Sequence, residues 1–205
     1  MGLSYGVFGA DLAFTNAEEA LMERRAVSAS IDRRMSEAWT LSFAAGAGLP
    51  GLLVMDGERH TINPGWLVAV SSSWRLADGR GTLPFFALLS LTLAGSGAST
   101  TLESPKLHAA RSLVLEEPSL YALDARLGLT VGKTFFDVLT PYAGVRLFGG
   151  PVMWRFHGDD VVGSDPRHVQ IALGLSSALP SGIDLFAEVA PLGERAATIG
   201  GGLSF

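Results

Sequence analysis

The residues best suited to hydrolytic chemistry gather at His157-Gly158-Asp159-Asp160, with Asp165 and His168 following. A general base needs an imidazole held by a carboxylate beside an activated water or serine, and this stretch supplies the residue types without a diagnostic spacing. Its acids Asp159, Asp160 and Asp165 also offer oxygen ligands for a hard divalent cation, although a solvated acidic turn has the same composition. A second group of charges, Asp11, Arg75, Asp124, Arg126, Arg146 and Glu188, is spread along the chain among Gly, Ala, Ser and Thr. Enclosed together, such charges must pair, because an isolated buried charge is costly. They then either fill an interior as an ion-pair network or line a charged constriction on a water path. There is no cysteine, no glycine-rich phosphate loop and no zinc spacing, so neither a cofactor nor a bound metal is expected.

The elements that must carry these residues are strands. Hydrophobic residues make up 48% of the 205-residue chain and charged residues only 17%, too apolar for disorder. Mean hydropathy is +0.32, yet the longest apolar run, Pro84 to Gly95, is well short of a membrane helix. Apolar residues instead recur at every second position, with Trp39, Leu41, Phe43, Ala45, Ala47 and Leu49 on one face and Thr40, Ser42, Ala44, Gly46 and Gly48 on the other. Reading each such run gives ten strands, at about 3–14, 25–33, 38–49, 64–76, 84–95, 119–134, 140–150, 167–179, 183–190 and 195–205, in a single domain spanning 1–205. The links alternate between short (34–37, 77–83, 135–139, 180–182) and long (15–24, 50–63, 96–118, 151–166), with one last short link near Pro191-Leu192-Gly193-Glu194.

A soluble carrier barrel is excluded, because its outer face would be rich in Lys and Glu. Here the apolar face carries no charge in the middle of any strand, as required where an arginine or lysine at mid-membrane costs about 2–4 kcal/mol. That face is assigned to lipid. Aromatics on it mark two girdles, with Phe14, Trp66 and Tyr121 at the long-loop ends and Trp39, Trp74 and Phe205 at the short-turn ends. The expected fold is an all-β, antiparallel, up-and-down transmembrane β-barrel of about ten strands, both termini on the short-turn, periplasmic side. A net charge of −5 with scattered Lys and Arg leaves no footprint for nucleic acid. In the longest link, Leu113-Val114-Leu115 either folds back onto the barrel mouth or docks a partner.

The alternating end of the chain, Ala197, Ile199, Gly201, Leu203 and Phe205, together with ten strands and asymmetric links, resembles the bacterial outer-membrane β-barrel family over essentially the whole length. Pro141-Tyr142-Ala143-Gly144-Val145-Arg146 and Phe186-Ala187-Glu188 look like segments of small, about ten-stranded members. The resemblance implies residence in the bacterial outer membrane, contact with membrane lipid and lipopolysaccharide, and a C-terminal strand read by the barrel-assembly machinery. It also implies an export signal, which Met1-Gly2-Leu3-Ser4-Tyr5 does not resemble, so a mature form with an added Met1 is expected. The omptin proteases have a similar strand count, but their Asp-x-Asp and Asp-x-His pairs are absent. So is the His-x-Ser of lipid A deacylases at His60, His108, His157 and His168. A structural or interaction protein with a largely plugged interior is therefore expected rather than an enzyme, its partner an unidentified surface or periplasmic protein. The alternatives are a narrow pore for ions or small solutes and a surface hydrolase around His157 with Asp159 or Asp160.

Overall fold

The computed structural model describes residues 1–15, 19–79, 84–103, 118–156 and 159–204, with only the backbone of Phe156. In chain order the strands are β1 (Gly2–Phe14), β2 (Glu19–Arg34), β3 (Trp39–Met55), β4 (Glu58–Ile62), β5 (Gly65–Asp78), β6 (Phe86–Leu102) and β7 (Ser119–Gly132). They continue as β8 (Leu139–Gly149), β9 (Val152–Phe156), β10 (Asp159–Ser164), β11 (Val169–Ala178), β12 (Ile183–Leu192) and β13 (Arg195–Leu203). All pairings are antiparallel, and ten strands close into a ring in the order β1-β2-β3-β5-β6-β7-β8-β11-β12-β13 and back to β1. Closure removes the exposed edges an open sheet would present. Both ends of the described chain lie at the short-turn end, where the Met1 amine donates to the Leu203 carbonyl at 3.0 Å.

These ten are the strands the alternation marks, but β2 begins at Glu19 rather than 25 and β6 runs to Leu102 rather than 95, so parts of the expected links 15–24 and 96–118 are strand as well. The remaining three correct the expectation that 50–63 and 151–166 are loops. Asn63-Pro64, Gly150-Pro151 and Asp165-Pro166 only interrupt the wall, since proline cannot donate to a ladder. β4, β9 and β10 carry the wall beyond the ring. There β4 pairs with β3 and β6, β9 with β7 and β10, and β10 with β1 through Ala13↔Ser164. Among the described residues the loop end is thus a second, narrower closed ring, β1-β2-β3-β4-β6-β7-β9-β10. The β12–β13 hairpin ends below it.

The two faces exchange polarity between these levels. In the ten-stranded part Leu3, Val27, Phe43, Val70, Leu93 and Leu127 point outward and are exposed. The inner face is small and polar, with hydroxyl pairs Ser4–Ser28 and Ser71–Thr92, each at 2.8 Å. In the narrower ring the inner face is apolar. Leu12, Phe14, Met22, Leu53, Met55, Ile62, Leu120, Val152, Trp154 and Val161 form one buried cluster, while Arg59–Glu103, Arg155–Asp160 and Arg167–Asp11 ion pairs stand outside. A bulge places Arg24 opposite Pro50 and Gly51, between the pairs Glu23↔Leu52 and Arg25↔Leu49. Its extra residue shifts the phase of β3, turning Leu53 and Met55 inward.

Candidate functional site: a charge network beneath an apolar cap

Alternation along β7, β8 and β11 places Asp124, Arg126, Tyr142, Arg146, Phe148 and Gln170 on the inner face. Arg146 Nη2 donates to Glu188 Oε2 at 2.7 Å and Arg146 Nη1 to Gln170 Oε1 at 3.1 Å. The Tyr142 hydroxyl also donates to Glu188 Oε2, at 3.2 Å. One level up, Arg126 donates through Nε to Asp124 and through Nη2 to Glu194 Oε2 at 2.6 Å, with its guanidinium 5.5 Å from the Phe148 ring centroid. Gln170, fully buried, joins the levels by donating from Nε2 to the Glu194 carbonyl at 2.7 Å. Charge-assisted bonds of this kind are the strong ones, and a buried network is worth having only when its members are satisfied.

Glu194 comes from the tip of the β12–β13 hairpin. Gly193 takes φ +81° there, and a side chain at that position would strike the Val169 carbonyl. The tip folds into the lumen, and Glu194 is 8% exposed. Above it the apolar cap is anchored by Trp154, whose Nε1 donates to Thr100 Oγ1 at 3.0 Å. The Trp154 ring meets His60 edge-on, with centroids 5.0 Å apart. Between cap and network lies a cavity of about 320 Å³, with Arg24 on one wall and Asp124, Arg126 and Glu194 also lining it.

Of the expected interior charges, the structure brings Asp124 and Arg126 together, and Arg146 with Glu188. It moves two elsewhere. Asp11 lies on the outward face of β1 and pairs with Arg167 at 3.1 Å, because the outside of the narrower ring is polar. Arg75 is at the short-turn end and donates to the Glu37 carbonyl. Among the girdle residues Trp39, Trp66, Trp74 and Tyr121 point outward and are exposed, with Trp39 directly opposite Trp74. Phe14 is corrected: it points inward into the cap. Phe205 lies outside the described residues, as do His157, His108 and Leu113–Leu115.

The loop acids are not assembled into a cation site. Asp160 accepts from Arg155 Nε at 3.0 Å, and this bond holds its carboxyl below the ordinary range. Asp165 lies at the far end of β10, five residues or about 16 Å along an extended strand. Burial pushes its carboxyl up, against the Arg167 backbone N–H that donates to it at 2.7 Å. No group of metal-ligating side chains forms among the described residues. Glu194, Gln170, Tyr142, Arg24 and Trp154 were missed in sequence, although alternation would have placed Gln170, Tyr142 and, once β2 is extended to Glu19, Arg24.

No protein-family model and no curated protein sequence matches the chain. Solved structures do share its fold. The translocator domain of the autotransporter NalP from Neisseria meningitidis superposes with a TM-score of 0.53 at 12% identity, covering 100% of this chain and 88% of that one. The outer membrane protease OmpT from Escherichia coli gives 0.51 at 9% identity over 98% and 93%. The transport unit of the autotransporter AIDA-I from Escherichia coli gives 0.50 at 12% identity over 100% and 89%. The fold is that of the bacterial outer-membrane β-barrels. At such identities the likeness is one of fold, and within it this chain has an apolar inner cap above two linked ion-pair clusters.

Proposed function

We propose that this is a sealed barrel of the bacterial outer membrane, acting as a structural or interaction protein at the cell surface. Its short-turn end and both termini face the periplasm. The observation that carries this reading is the buried apolar cluster that crosses the lumen at the loop end, from Phe14 and Met22 through Leu53 and Ile62 to Trp154. Ions do not cross such a layer, because an unpaired charge in it has no hydrogen-bond partner. Beneath it Arg126 and Arg146 are each bonded to carboxylates, so the interior charges are paired with one another. The outward residues of the ten-stranded part meet lipid. The charged outer surface of the narrower ring lies above it, within reach of lipopolysaccharide and of a surface protein. The last strand serves the barrel-assembly machinery.

A narrow pore is the second reading, favoured by the Ser and Thr lining of the turn half. A surface hydrolase has less support, since Asp160 is bonded to Arg155 and exposed. Single-channel recording of the refolded protein in a planar bilayer separates the first two, with Arg146→Ala and Glu188→Ala beside wild type. Silence in wild type with folding verified is expected; stable steps that change with either substitution would promote the pore.

A further inference from the structure

We propose that the lumen binds a small carboxylate with an apolar body, through Arg24. Arg24 stands on the inner face of β2 at the bulge and is 6% exposed. Its guanidinium lies over Gly48 of β3 and reaches Gly65 at the start of β5; a Cβ at either glycine would overlap it. Two glycines therefore make its seat. Nε and Nη2, the two nitrogens of one edge of the fork, are closed to water and have no hydrogen-bond partner among the described residues. Every other arginine bonded inside the lumen has its acceptors: Arg126 has Asp124 and Glu194, Arg146 has Glu188 and Gln170.

A buried guanidinium left unbonded is costly, and an oxyanion on that edge removes the cost. The two parallel N–H groups match the two oxygens of a carboxylate. Arg24 also lines the cavity of about 320 Å³, whose walls include Phe8, Met22, Leu67, Leu120 and Phe148. This is at the small end of ligand pockets. Binding requires the fork to turn from its glycine seat into that space. The acids around the cavity are already engaged, Asp124 and Glu194 with Arg126 and Asp165 with the Arg167 N–H. One carboxylate at Arg24 with a short apolar chain against Phe8 and Leu67 complements these walls. A doubly charged phosphate would face three carboxylates with one free guanidinium among the described residues to offset it, so the single charge is preferred.

The test uses hexanoate, with 1-hexanol and acetate as controls, titrated calorimetrically into the folded barrel in lipid nanodiscs and corrected for empty discs. Hexanoate should bind saturably to wild type. Arg24→Met should weaken it about tenfold or more, the worth of hydrogen bonds to a charged group. Acetate should bind more weakly than hexanoate, and any hexanol binding should be unmoved by the substitution. If Arg24→Met fails to fold, as judged by heat-modifiable migration in gels, Arg24→Lys keeps the charge without the fork and should still weaken hexanoate. Absence of saturable binding to folded wild type at millimolar hexanoate would overturn the proposal. Equal hexanoate binding by wild type and whichever variant folds would do the same.

Discussion

Truncating Trp154 should destabilise the barrel far more than truncating a tryptophan of the outer face. Trp154 is 1% exposed, has Phe14 with ring centroids 6.1 Å away and His60 edge-on, and donates to Thr100. Removing a buried tryptophan side chain costs about 3–5 kcal/mol, of which a void of roughly 100 Å³ contributes about 2 kcal/mol. The Thr100 hydroxyl then keeps only a long contact of 3.4 Å to the Pro118 carbonyl, adding about 1 kcal/mol. Trp66, on the outward face, meets lipid in the folded barrel and water in the unfolded chain, so Trp66→Ala should lose about 2 kcal/mol of transfer but open no void, because lipid fills the space. Reversible urea unfolding in phospholipid vesicles, followed by far-ultraviolet circular dichroism, measures both. A Trp154→Ala cost within 1 kcal/mol of the Trp66→Ala cost would refute the dry cap.

Arg146→Met strands Glu188 with Tyr142 as its remaining partner, and breaking a buried pair from one side costs about 3–5 kcal/mol. Adding Glu188→Gln should recover most of that loss, as read by the same unfolding assay. Gly193→Ala forces a side chain into a positive-φ position against the Val169 carbonyl and should cost more than about 1 kcal/mol, with heat-modifiable migration reporting whether closure survives. Burial raises the Asp165 carboxyl above the ordinary aspartate range. Its contribution is fully present below the ordinary aspartate range and is lost as pH rises from there through the raised folded-state value. Asp165→Asn should therefore be more stable than wild type at neutral pH, with unfolding midpoints converging as pH falls.

The ten-stranded ring was legible because its pattern obeys one rule, apolar outside and small or polar inside, from Trp39 to Leu49 and again from Leu123 to Leu129. That rule reverses in the narrower ring, and the misplaced residues lie there. Asp11 looked like an interior charge and Phe14 like a girdle aromatic, yet in β1 each has the opposite orientation. Their phase was readable; what lies on either side of the narrower ring's wall was not. β4 did leave a signal. Asp56 and Gly57 both have positive φ in the tight turn joining β3 to β4, and an Asp-Gly pair between apolar runs is a strong hairpin signal. Arg24 was hidden because the strand was begun at Arg25, six residues after its true start at Glu19. Glu194 was hidden for another reason, since nothing local tells that a hairpin tip folds inward to meet Arg126.

The proposed seal of the lumen is tested most directly by sided labelling, which the absence of cysteine makes clean. Ser71→Cys places a thiol on the inner face of the turn half, beside Thr92, and Asp56→Cys places one at the exposed β3–β4 turn. Each variant is refolded into vesicles and treated with a membrane-impermeant thiol reagent from one side at a time. The thiol at position 71 should react only from the side carrying the termini, and that at position 56 only from the other. Comparable reaction of the Ser71→Cys thiol from both sides would mean that the lumen is open past the cap.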